Sequence, residues 1–549
     1  MSHCHTPLSP LTFLERSALA FPERTALTQG DRSINYRQLL LRTRNLAKAL
    51  SDLGVGPGDT VAVLMKNGIA AVEAHFAIPA AGAAIVMLNP WMAENDVLHL
   101  LRHCEAKVLI ADDVVFEYIS DHWVEYVSTS IKMVVSSRHG NIRGTPFIDY
   151  EGCANTSENP RPLDHFVESE SDPIAINFTS GTTGNPKGVV YSHRAAYLHA
   201  LGQVMMLELR KSSRYAWTLP IFHVNGWGHV WACVAIGCEQ IIPIDVVTKE
   251  NASRFCDDLR AWGVTHISGA PRLLRLLADG AENGRRFDGL IALTGGSSPS
   301  PNLIGRMDAL GINVIHQYGL NETLGPFVVC EMREEWSALS PDMRLKLRSR
   351  QGVPAIHSGT GVRVLTSDGN DVAKDGRTLG EVVMHGNTVA LEYYKNAEAT
   401  KKAFRGDFFY SGDMAVVHED GFLELRDRKK DLIYVETEYG WENVSSSEIE
   451  NILCLDESIQ DAAVLSVPDQ DKRALVAFVE IKDGYQPDKQ ALVANWAVKL
   501  PAYLMPDFFR FITLPKTSTG KIKKDVLVGS LNLNSLPNSN GSTIVNESA

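Results

Sequence analysis

Short apolar segments with the pattern of buried strands alternate with helical patterns between residues 35 and 294. The strand-like segments are Thr60–Met65, Lys107–Ala111, Ile131–Ser136, Ile174–Phe178, Gln240–Ile244 and Leu290–Thr294. Alternating strands and helices are typical of mostly parallel sheets with helices packed on their faces. The pattern therefore predicts an α/β fold, in which stacked, mostly parallel sheets build a large N-terminal domain.

The sequence also predicts the structure of two further segments. Asn35 and Gln38 have the spacing of a capping box, and Gly54 is typical of the residue after a helix, so we predict a helix between them. The stretch Ala70–Leu88 is the most apolar part of the chain, but it contains the charged residue Glu73. Since a membrane span needs roughly 18 nearly uncharged residues, we interpret this stretch as a buried helix followed by a buried strand.

Strand-like segments come closer together after residue 350. They are Val362–Leu365, Glu381–His385, Met414–His418 and Phe422–Leu425, with glycine-containing turns between them. This spacing predicts a smaller, antiparallel β subdomain. The charged run Arg426–Asp431 is a candidate linker, and the patterns beyond it predict a small α+β domain. We therefore expect an N-terminal domain at 1–427, a C-terminal domain at 428–528 and a disordered, Asn/Ser-rich tail at 529–549.

The composition is that of a globular protein. Of the 549 residues, 44% are hydrophobic and 21% are charged, which excludes a disordered or fibrous chain. There are 53 Lys and Arg against 65 Asp and Glu, and the net charge of −12 argues against binding to nucleic acid or to anionic membranes.

Several features bear on where the protein resides. The 8 cysteines form no CxxC pair, so we interpret them as reduced thiols and not as a disulfide framework or a zinc site. The first residues lack a signal-peptide pattern, and the last three are not the peroxisomal signal SKL. We expect a soluble, cytoplasmic protein without a membrane span.

A glycine-rich segment, Thr179–Gly188 (TSGTTGNPKG), follows a strand-like run directly. Its glycines allow tight turns that bring backbone N–H groups close to an anion, its hydroxyls add donors, and Lys187 adds a positive charge. It is not a Walker A loop, because Gly188 and not Ser or Thr follows the lysine. The segment predicts a phosphate-binding loop of a different kind.

This loop resembles the signature of the adenylate-forming superfamily, which includes acyl- and aryl-CoA synthetases, luciferases and the adenylation domains of peptide synthetases. Further segments resemble that family's motifs and follow in its order: Gly295–Gly296, Tyr318–Thr323 (YGLNET), Gly380–Glu381, Tyr410–Asp413 (YSGD), Asp427–Ile433 (DRKKDLI) and Pro515–Lys521 (PKTSTGK). The resemblance extends from about residue 10 to residue 528. It implies the superfamily's fold, with a large adenylation domain that holds ATP and an acid, and a small, mobile C-terminal domain.

The resemblance also implies an ATP site. The residues that would bind the nucleotide are Thr179, Ser180, Gly181, Thr182, Thr183, Gly184, Lys187, Gly295, Gly296, Tyr318, Gly319 and Asn321. Glu322 would bind Mg²⁺, which favours carboxylate and phosphate oxygens. Asp413 would accept hydrogen bonds from the ribose hydroxyls, and Arg428 would support the ribose or phosphate end.

The small domain would supply the catalytic lysine. By resemblance this is Lys521, whose ammonium bridges the substrate carboxylate and the α-phosphate, where negative charge builds in the transition state. Lys430 resembles the hinge about which the domain rotates. Rotation would withdraw Lys521 and open a path for the thiol of CoA, along a segment that contains Gly440.

The segment Thr218–Gly228 (TLPIFHVNGWG) resembles the substrate pocket of acyl- and aryl-CoA ligases. His223 would be the second catalytic candidate, as a gate beside the acyl pocket. Amino-acid-activating relatives have an Asp near the position of Val224, and a valine leaves an ammonium without a partner. The sequence therefore favours a small carboxylic acid with an uncharged acyl or aryl tail.

The chain departs from the family's pattern at several positions. Asn321 and Ser411 stand where Thr is usual, and Phe408 stands where Trp is frequent. The segment Tyr434–Trp441 (YVETEYGW) is longer and more acidic than the Gly-Gly loop that lies along CoA in relatives, and Gly440 is the glycine that is retained.

The resemblance implies an ATP-dependent carboxylic acid–CoA ligase of fatty or aromatic acid metabolism. It would form an acyl-AMP with release of pyrophosphate and transfer the acyl group to CoA, with ATP, Mg²⁺ and CoA as cofactors. The altered segment leaves two alternative acceptors open, a carrier-protein phosphopantetheine and an amine. A non-catalytic nucleotide-binding scaffold is disfavoured, because Lys187, Glu322, Asp413 and Lys521 are all present.

Overall fold

The computed structural model describes the chain except for residues 1–4, 119, 136–146, 156–161, 180–185, 282–283, 430–432, 438–439, 445, 457, 470–471, 502–503, 517–521, 532–542 and 545–549. The chain forms two compact units. The first contains Met1–Val362 and Met384–Phe409, and the second contains Arg363–Val383 and Tyr410–Ala549. The boundary between residues 427 and 428, drawn from sequence, stays a prediction.

The elements in chain order as far as residue 354 are α1 (Leu11–Ala20), β1 (Thr25–Gln29), β2 (Arg32–Asn35), α2 (Tyr36–Asp52), β3 (Thr60–Leu64), α3 (Ile69–Ala80), β4 (Ala84–Leu88), α4 (Glu94–His103), β5 (Val108–Ala111), α5 (Asp121–Ser130), β6 (Lys132–Val135), β7 (Ile148–Asp149), α6 (Tyr150–Asn155), β8 (Pro173–Thr179), β9 (Lys187–Ser192), α7 (His193–Met206), β10 (Arg214–Ala216), α8 (Val224–Ile236), β11 (Glu239–Ile242), α9 (Ala252–Ala261), β12 (His266–Gly269), α10 (Pro271–Gly280), β13 (Leu290–Thr294), α11 (Pro301–Ala309), β14 (Ile312–Leu320), β15 (Gly325–Val329), α12 (Pro341–Arg348) and β16 (Val353–Pro354). Short 3-10 helices occur at Asp113–Tyr118, Asn321–Thr323 and Glu334–Ala338.

The remaining elements are β17 (Val362–Leu365), β18 (Gly380–Met384), β19 (Glu392–Tyr393), α13 (Ala397–Ala403), β20 (Phe404–Arg405), β21 (Phe408–Val417), β22 (Leu423–Arg428), β23 (Ile433–Thr437), β24 (Gly440–Val444), α14 (Ser446–Leu453), β25 (Ile459–Asp469), β26 (Lys472–Ile481), α15 (Lys489–Lys499), β27 (Phe508–Phe511), α16 (Lys524–Gly529) and β28 (Thr543–Ile544).

Two large sheets form the frame of the first unit. Among the described residues, one has eight strands in the order β19-β9-β8-β4-β3-β5-β6-β7, and the other has nine in the order β16-β15-β14-β13-β12-β10-β11-β1-β2. The central pairs are parallel, such as β3 with β4 and β12 with β13, and the antiparallel pairs lie toward the ends. This is the mostly parallel α/β architecture predicted from the alternating pattern.

Side chains on each strand alternate between two buried clusters. Along β3, Val61 and Val63 belong to a cluster that both large sheets share with α2, α3, α7 and α8, whereas Ala62 and Leu64 face α4 and α5. Helices α9, α10 and α11 cover the other face of the nine-stranded sheet. Since central strands such as β3 and β4 are apolar on both faces, they form continuous hydrophobic runs in the sequence.

Besides the two-stranded sheet of β23 and β24, the described residues of the second unit contribute to two further sheets. One has the order β25-β26-β27-β28, with α14 and α15 packed on one face and α16 on the other. The other contains β17, β18 and β21, and β22 pairs with β21 in antiparallel register. The unit thus contains the α+β part and the β subdomain that the sequence predicts.

Most local predictions agree with the structure. Helix α2 begins with the predicted capping box, in which the backbone N–H of Gln38 donates to the side chain of Asn35 (2.8 Å) and the N–H of Asn35 donates to that of Gln38 (2.9 Å). The predicted strand Gln240–Ile244 is too long, because β11 ends at Ile242 and Ile244 is 76% exposed. The linker predicted at Arg426–Asp431 is wrong for its first three residues, which form the end of β22.

Part of the predicted tail lies in regular structure. Thr543 and Ile544 form β28, which pairs with β27, and residues 532–542 and 545–549 lie outside the described residues. No helix in the described part of the chain combines the length and the hydropathy that crossing a bilayer requires.

Candidate active site

The ends of β8 and β9 flank the glycine-rich loop. Thr179 is the last residue of β8 and Lys187 is the first residue of β9, and the antiparallel register pairs them directly. This pairing brings the two ends of the loop together. The predicted phosphate-binding residues between them, Ser180, Gly181, Thr182, Thr183 and Gly184, lie outside the described residues.

Glu322 lies in a tight turn between β14 and β15. The turn is a 3-10 helix over Asn321–Thr323, and the next residue, Leu324, has φ = 59°, a conformation that costs a residue with a side chain roughly 1–3 kcal/mol. Strands β14 and β15 approach closely, since a Cβ on Gly319 would lie 1.8 Å from the carbonyl oxygen of Gly325. The carboxylate therefore projects from a turn of fixed shape.

Two tyrosines from neighbouring strands hold this turn. The hydroxyl of Tyr191 on β9 donates to the carbonyl oxygen of Asn321 (2.7 Å), and the hydroxyl of Tyr393 on β19 donates to Oε1 of Glu322 (2.6 Å). Burial, and then the nearby Glu322, raise the pKa of Tyr191 well above its usual value. Tyr191 is therefore a permanent hydrogen-bond donor.

Lys187 contacts the same Tyr393. Its ammonium nitrogen lies 5.0 Å from the centroid of the Tyr393 ring, which is within cation–π distance. Lys187, Tyr393 and Glu322 are therefore neighbours in space although three different segments of the chain carry them.

Gly295 and Gly296 follow β13, beside the part of β14 that carries Tyr318. A Cβ on Gly295 would lie 1.9 Å from Nε2 of Gln317, so glycine is required for this packing. Oε1 of Gln317 is buried and has no hydrogen-bond partner among the described residues, and Tyr318 is buried. These residues lie at the carboxyl ends of β13 and β14, where open α/β sheets bind their ligands.

His223 immediately precedes α8. Its backbone N–H donates to the carbonyl oxygen of Pro220 (3.1 Å), and the side chain of Asn177 on β8 donates to the carbonyl oxygen of Phe222 (3.2 Å). Val224 begins α8 and is buried in the shared apolar cluster. The segment that the sequence assigns to the acyl pocket is thus fixed to the strand that leads into the glycine-rich loop.

A buried polar network lies against α8. Gln203 contacts His199 and His229, each at 3.2 Å between nitrogen or oxygen atoms, and Nδ1 of His229 contacts the hydroxyl of Tyr215 at 2.7 Å. Burial lowers the pKa of His229 to about 3 and that of His199 well below its usual value. Both histidines are therefore neutral at physiological pH.

Asp413 and Arg428 form an ion pair within the second unit. They face each other in the register of β21 and β22, and Nε of Arg428 lies 2.7 Å from Oδ1 of Asp413. The backbone N–H of Asp413 also donates to the hydroxyl of Ser411 (3.0 Å), and that hydroxyl donates to the carbonyl oxygen of Val382 (2.7 Å). The hydroxyl of Ser411 therefore fixes the backbone beside the buried Asp413.

One further predicted residue, Gly440, lies in a hairpin of the second unit. Strands β23 and β24 pair in antiparallel register, and Gly440 is the first residue of β24, opposite Thr437. The described residues of the segment Tyr434–Trp441, namely 434–437 and 440–441, thus belong to a two-stranded sheet. Lys430 and Lys521 lie outside the described residues.

Glu322 fits the predicted role of a Mg²⁺ ligand. Among the described residues, Tyr393 is the side-chain partner of its carboxylate, at Oε1, which leaves Oε2 for a cation. The described residues contain no group of three His, Cys, Asp or Glu side chains able to hold a metal ion. Mg²⁺ is commonly bound by one or two carboxylates together with the phosphates of the substrate, so a single carboxylate beside a phosphate loop suffices.

Sequence reasoning missed both tyrosines that hold the Glu322 turn. Tyr191 lies in the strand after the glycine-rich loop, and Tyr393 lies in a two-residue strand that carries no motif. The apolar run after Lys187 predicts a strand that follows the loop. Its residue pattern does not specify which strand it pairs with.

Profiles of known families match most of the chain. The profile of the AMP-binding enzymes matches residues 14–394, and that of the AMP-binding enzyme C-terminal domain matches residues 448–521. Among similar proteins, the peroxisomal acetate/butyrate–CoA ligase of Arabidopsis thaliana is 36% identical over 95% of this chain and 94% of its own length. The 2-methylpropanoate–CoA ligase of Humulus lupulus is 36% identical over 95% of both chains.

Solved structures share the fold. An anthranilate–CoA ligase in complex with anthranoyl-AMP superposes with a TM-score of 0.81 at 24% identity, covering 97% of this chain and 100% of its own. A benzoate–CoA ligase from Burkholderia xenovorans superposes with a TM-score of 0.79 at 21% identity, covering 94% of this chain and 99% of its own. At these identities the likeness establishes the fold.

Proposed function

The chain belongs to the AMP-binding enzyme family and is a carboxylic acid–CoA ligase that forms an acyl-AMP, and we propose which acid it activates and which residues carry the reaction. ATP and CoA are its co-substrates. The enzyme is thus an acid–thiol ligase, as the resemblance of its motifs implies.

The proposed substrate is a short monocarboxylic acid with an uncharged tail. The relatives named above act on acetate, butyrate and 2-methylpropanoate. In this chain Val224 is buried at the start of α8 in an apolar cluster that includes side chains of α7. The described members of this cluster are apolar, so an ammonium or a second carboxylate placed against them would be buried unpaired, which is costly.

The observation that carries the proposal is the cluster of Lys187, Tyr393 and Glu322. It places one cation and one carboxylate around a single aromatic ring, next to the ends of the glycine-rich loop. The negative charge of the triphosphate repels the carboxylate of the incoming acid. The site therefore needs both a cation, Lys187, and a carboxylate that binds Mg²⁺, Glu322. The cluster thus supports nucleotide activation of the acid.

In the first half-reaction, a carboxylate oxygen of the acid attacks the α-phosphorus of ATP, and pyrophosphate leaves. Lys187 neutralises charge on the outer phosphates, and Glu322 would hold a Mg²⁺ ion, which would lower the charge of the triphosphate. Lys521 stabilises the charge that develops between the carboxylate and the α-phosphate. Asp413 accepts hydrogen bonds from the ribose, while Arg428 pairs with the carboxylate of Asp413 and orients it.

In the second half-reaction, the thiolate of CoA attacks the acyl carbonyl carbon, and AMP leaves. Rotation at Lys430 withdraws Lys521 and exposes the hairpin around Gly440 to the pantetheine chain. His223, held at the start of α8, gates the acyl pocket. Each of these assignments can be tested by substituting one residue.

A two-stage assay tests the proposal. Pyrophosphate exchange reports the first half-reaction, and AMP release that depends on CoA reports the second. We expect both with acetate, butyrate and 2-methylpropanoate, weaker activity with benzoate, and none with alanine, whose ammonium cannot be buried. Exchange without CoA-dependent AMP release would instead assign the acyl group to a carrier protein or an amine.

A substitution separates binding from chemistry. Lys521→Ala should abolish pyrophosphate exchange while ATP binding, measured by equilibrium dialysis, stays within a few-fold of the unaltered protein. An unchanged exchange rate would contradict the role assigned to Lys521.

The cytoplasm is the proposed location. The free cysteines among the described residues agree with a reducing compartment, whereas the name of the Arabidopsis relative places that protein in peroxisomes. A fluorescent fusion at the N-terminus, which leaves the C-terminus free, would show a diffuse signal if the proposal holds and a punctate one if it does not.

A further inference from the structure

Tyr393 lies between the two opposite charges of the candidate nucleotide site. Its hydroxyl donates to Glu322 and its ring faces the ammonium of Lys187. We propose that Tyr393 is a positioning residue, which aims the carboxylate of Glu322 at the divalent cation and keeps Lys187 available to the phosphates. This inference rests on the proposed function, which assigns those two roles.

The backbone of Tyr393 is fixed by β-pairing. Strand β19 adds to the edge of the eight-stranded sheet, where Tyr393 faces Val189 of β9. In such a pair the residues two positions away on the same face are diagonal neighbours, and here these are Lys187 and Tyr191. The N–H of Tyr394 donates to the carbonyl oxygen of Gly188 (2.6 Å), which closes this pairing.

The ring of Tyr393 is equally constrained. It is 5% exposed and packs against the ring of Phe404, with centroids 5.8 Å apart and planes at 70°. The backbone N–H of Tyr393 donates to the hydroxyl of Thr400 (3.0 Å). A buried ring with this packing keeps one orientation, so its hydroxyl is a donor at a fixed point.

The hydroxyl selects one oxygen of Glu322. The 2.6 Å hydrogen bond to Oε1 is charge-assisted, which makes it stronger than a neutral one. The backbone of Glu322 is held at the same time, because the N–H of Ala390, three residues before Tyr393, donates to its carbonyl oxygen (2.8 Å). The segment 390–393 therefore fixes both the main chain and the side chain of the predicted ligand, with Oε2 left for the cation.

The ring also separates Lys187 from Glu322. These two residues do not form an ion pair with each other in the described chain, although both contact Tyr393. An ion pair between them would neutralise the cation needed for phosphate and the carboxylate needed for Mg²⁺. The aromatic face attracts the ammonium without accepting a hydrogen bond from it, so Lys187 keeps its donors for the nucleotide.

Divalent-cation binding tests the proposal directly. The probe is Mn²⁺, followed by electron paramagnetic resonance in the presence of α,β-methylene-ATP, a non-hydrolysable analogue. Tyr393→Phe keeps the ring and removes the hydroxyl. We expect it to weaken Mn²⁺ binding about ten-fold, as loss of a partner to a metal ligand commonly does, and to leave the affinity for the analogue without Mn²⁺ unchanged.

Two further variants separate the two contacts. Tyr393→Leu also removes the ring, so affinity for the metal-free analogue should fall by about three-fold in addition. Tyr394→Phe is the matched control, because its ring contacts His103 and Lys395 and not Glu322. We expect it to bind Mn²⁺ and the analogue as the unaltered protein does.

The outcomes distinguish this inference from the proposed function. Glu322→Gln removes the predicted ligand itself and should weaken Mn²⁺ binding more than Tyr393→Phe does. If Glu322→Gln weakens binding while Tyr393→Phe stays within two-fold of the unaltered protein, the positioning role is wrong and the proposed function stands. If neither substitution weakens binding, the assignment of Glu322 as the ligand fails, and the inference fails with it.

Discussion

The two compact units carry their predicted site residues in different ways. In the first unit, Lys187, Glu322 and Tyr393 come from three separate segments, and Glu322 and Tyr393 are 71 residues apart. In the second unit, Asp413 and Arg428 face each other on adjacent strands that a short turn connects. The first cluster depends on how distant strands pair, whereas the second depends on one local register.

This difference decides how each site tolerates change. A cluster fixed by distant strands is rigid, because every contact is backed by a buried sheet, and it loses function when one of its groups is removed. A pair of residues on one hairpin is positioned by its own two strands, so substituting one of the two residues disturbs fewer other contacts. We therefore expect the largest effects of substitution in the first unit.

Removing the charge of Glu322 should have the largest effect. Glu322→Gln keeps the hydrogen bond from Tyr393 but no longer offers an anionic oxygen, so the pyrophosphate-exchange rate should fall by about 10² to 10³-fold, as for other preorganised groups. Thermal unfolding of the variant without nucleotide should match that of the unaltered protein. A rate within ten-fold of the unaltered protein would show that the carboxylate is not used in the transition state.

The close approach of β14 and β15 predicts the next largest effect. In Gly319→Ala the new Cβ would meet the carbonyl oxygen of Gly325 at 1.8 Å, and this backbone has no room to move. We expect a loss of roughly 1–3 kcal/mol in the free energy of unfolding from overpacking. Urea denaturation measures it, with Gly56→Ala as control, since a Cβ there meets nothing within 4 Å.

Sequence alone locates the polar groups of the site better than the contacts between them. Thr179 and Lys187 are found because glycines, hydroxyls and a lysine share one segment after a strand. Tyr393 is not found, because its role follows from the pairing of β19 with β9, and no residue pattern of either strand specifies that partner. Likewise, Ile244 is apolar enough to extend β11, but the chain leaves the sheet two residues earlier, and only the packed structure shows it.

The local pair in the second unit predicts a smaller, specific effect. Asp413→Asn removes the anion that would bind the ribose and that pairs with Arg428, so the KM for ATP should rise about ten-fold, as for loss of a charged hydrogen bond. Asp371→Asn is the control, because it breaks an ion pair with Arg363 in the same unit that is exposed and worth little. Equal effects of both substitutions would mean that general electrostatics, and not ribose binding, explains the change.

Lowering the pH should also change the stability of the two units differently, by smaller amounts than the substitutions above. Every described histidine whose pKa is lowered by burial lies in the first unit; these residues are His75, His193, His199, His229, His266, His316 and His357. The burial that lowers the pKa of His229 to about 3 is absent in the unfolded chain. Between pH 6.5 and 3 the unfolded state therefore binds a proton that the folded state excludes, and stability falls as the pH falls.

Each histidine with a strongly lowered pKa contributes up to about 1.4 kcal/mol per pH unit between pH 6.5 and its pKa in the folded state. Urea denaturation from pH 7 to pH 5 should accordingly show the first unit losing stability before the second. His229→Gln removes one titrating group and should lower the slope of stability against pH by that amount, whereas His165→Gln, at an exposed position, should leave the slope unchanged. If both variants keep the slope of the unaltered protein, buried histidines do not cause the acid sensitivity of the first unit.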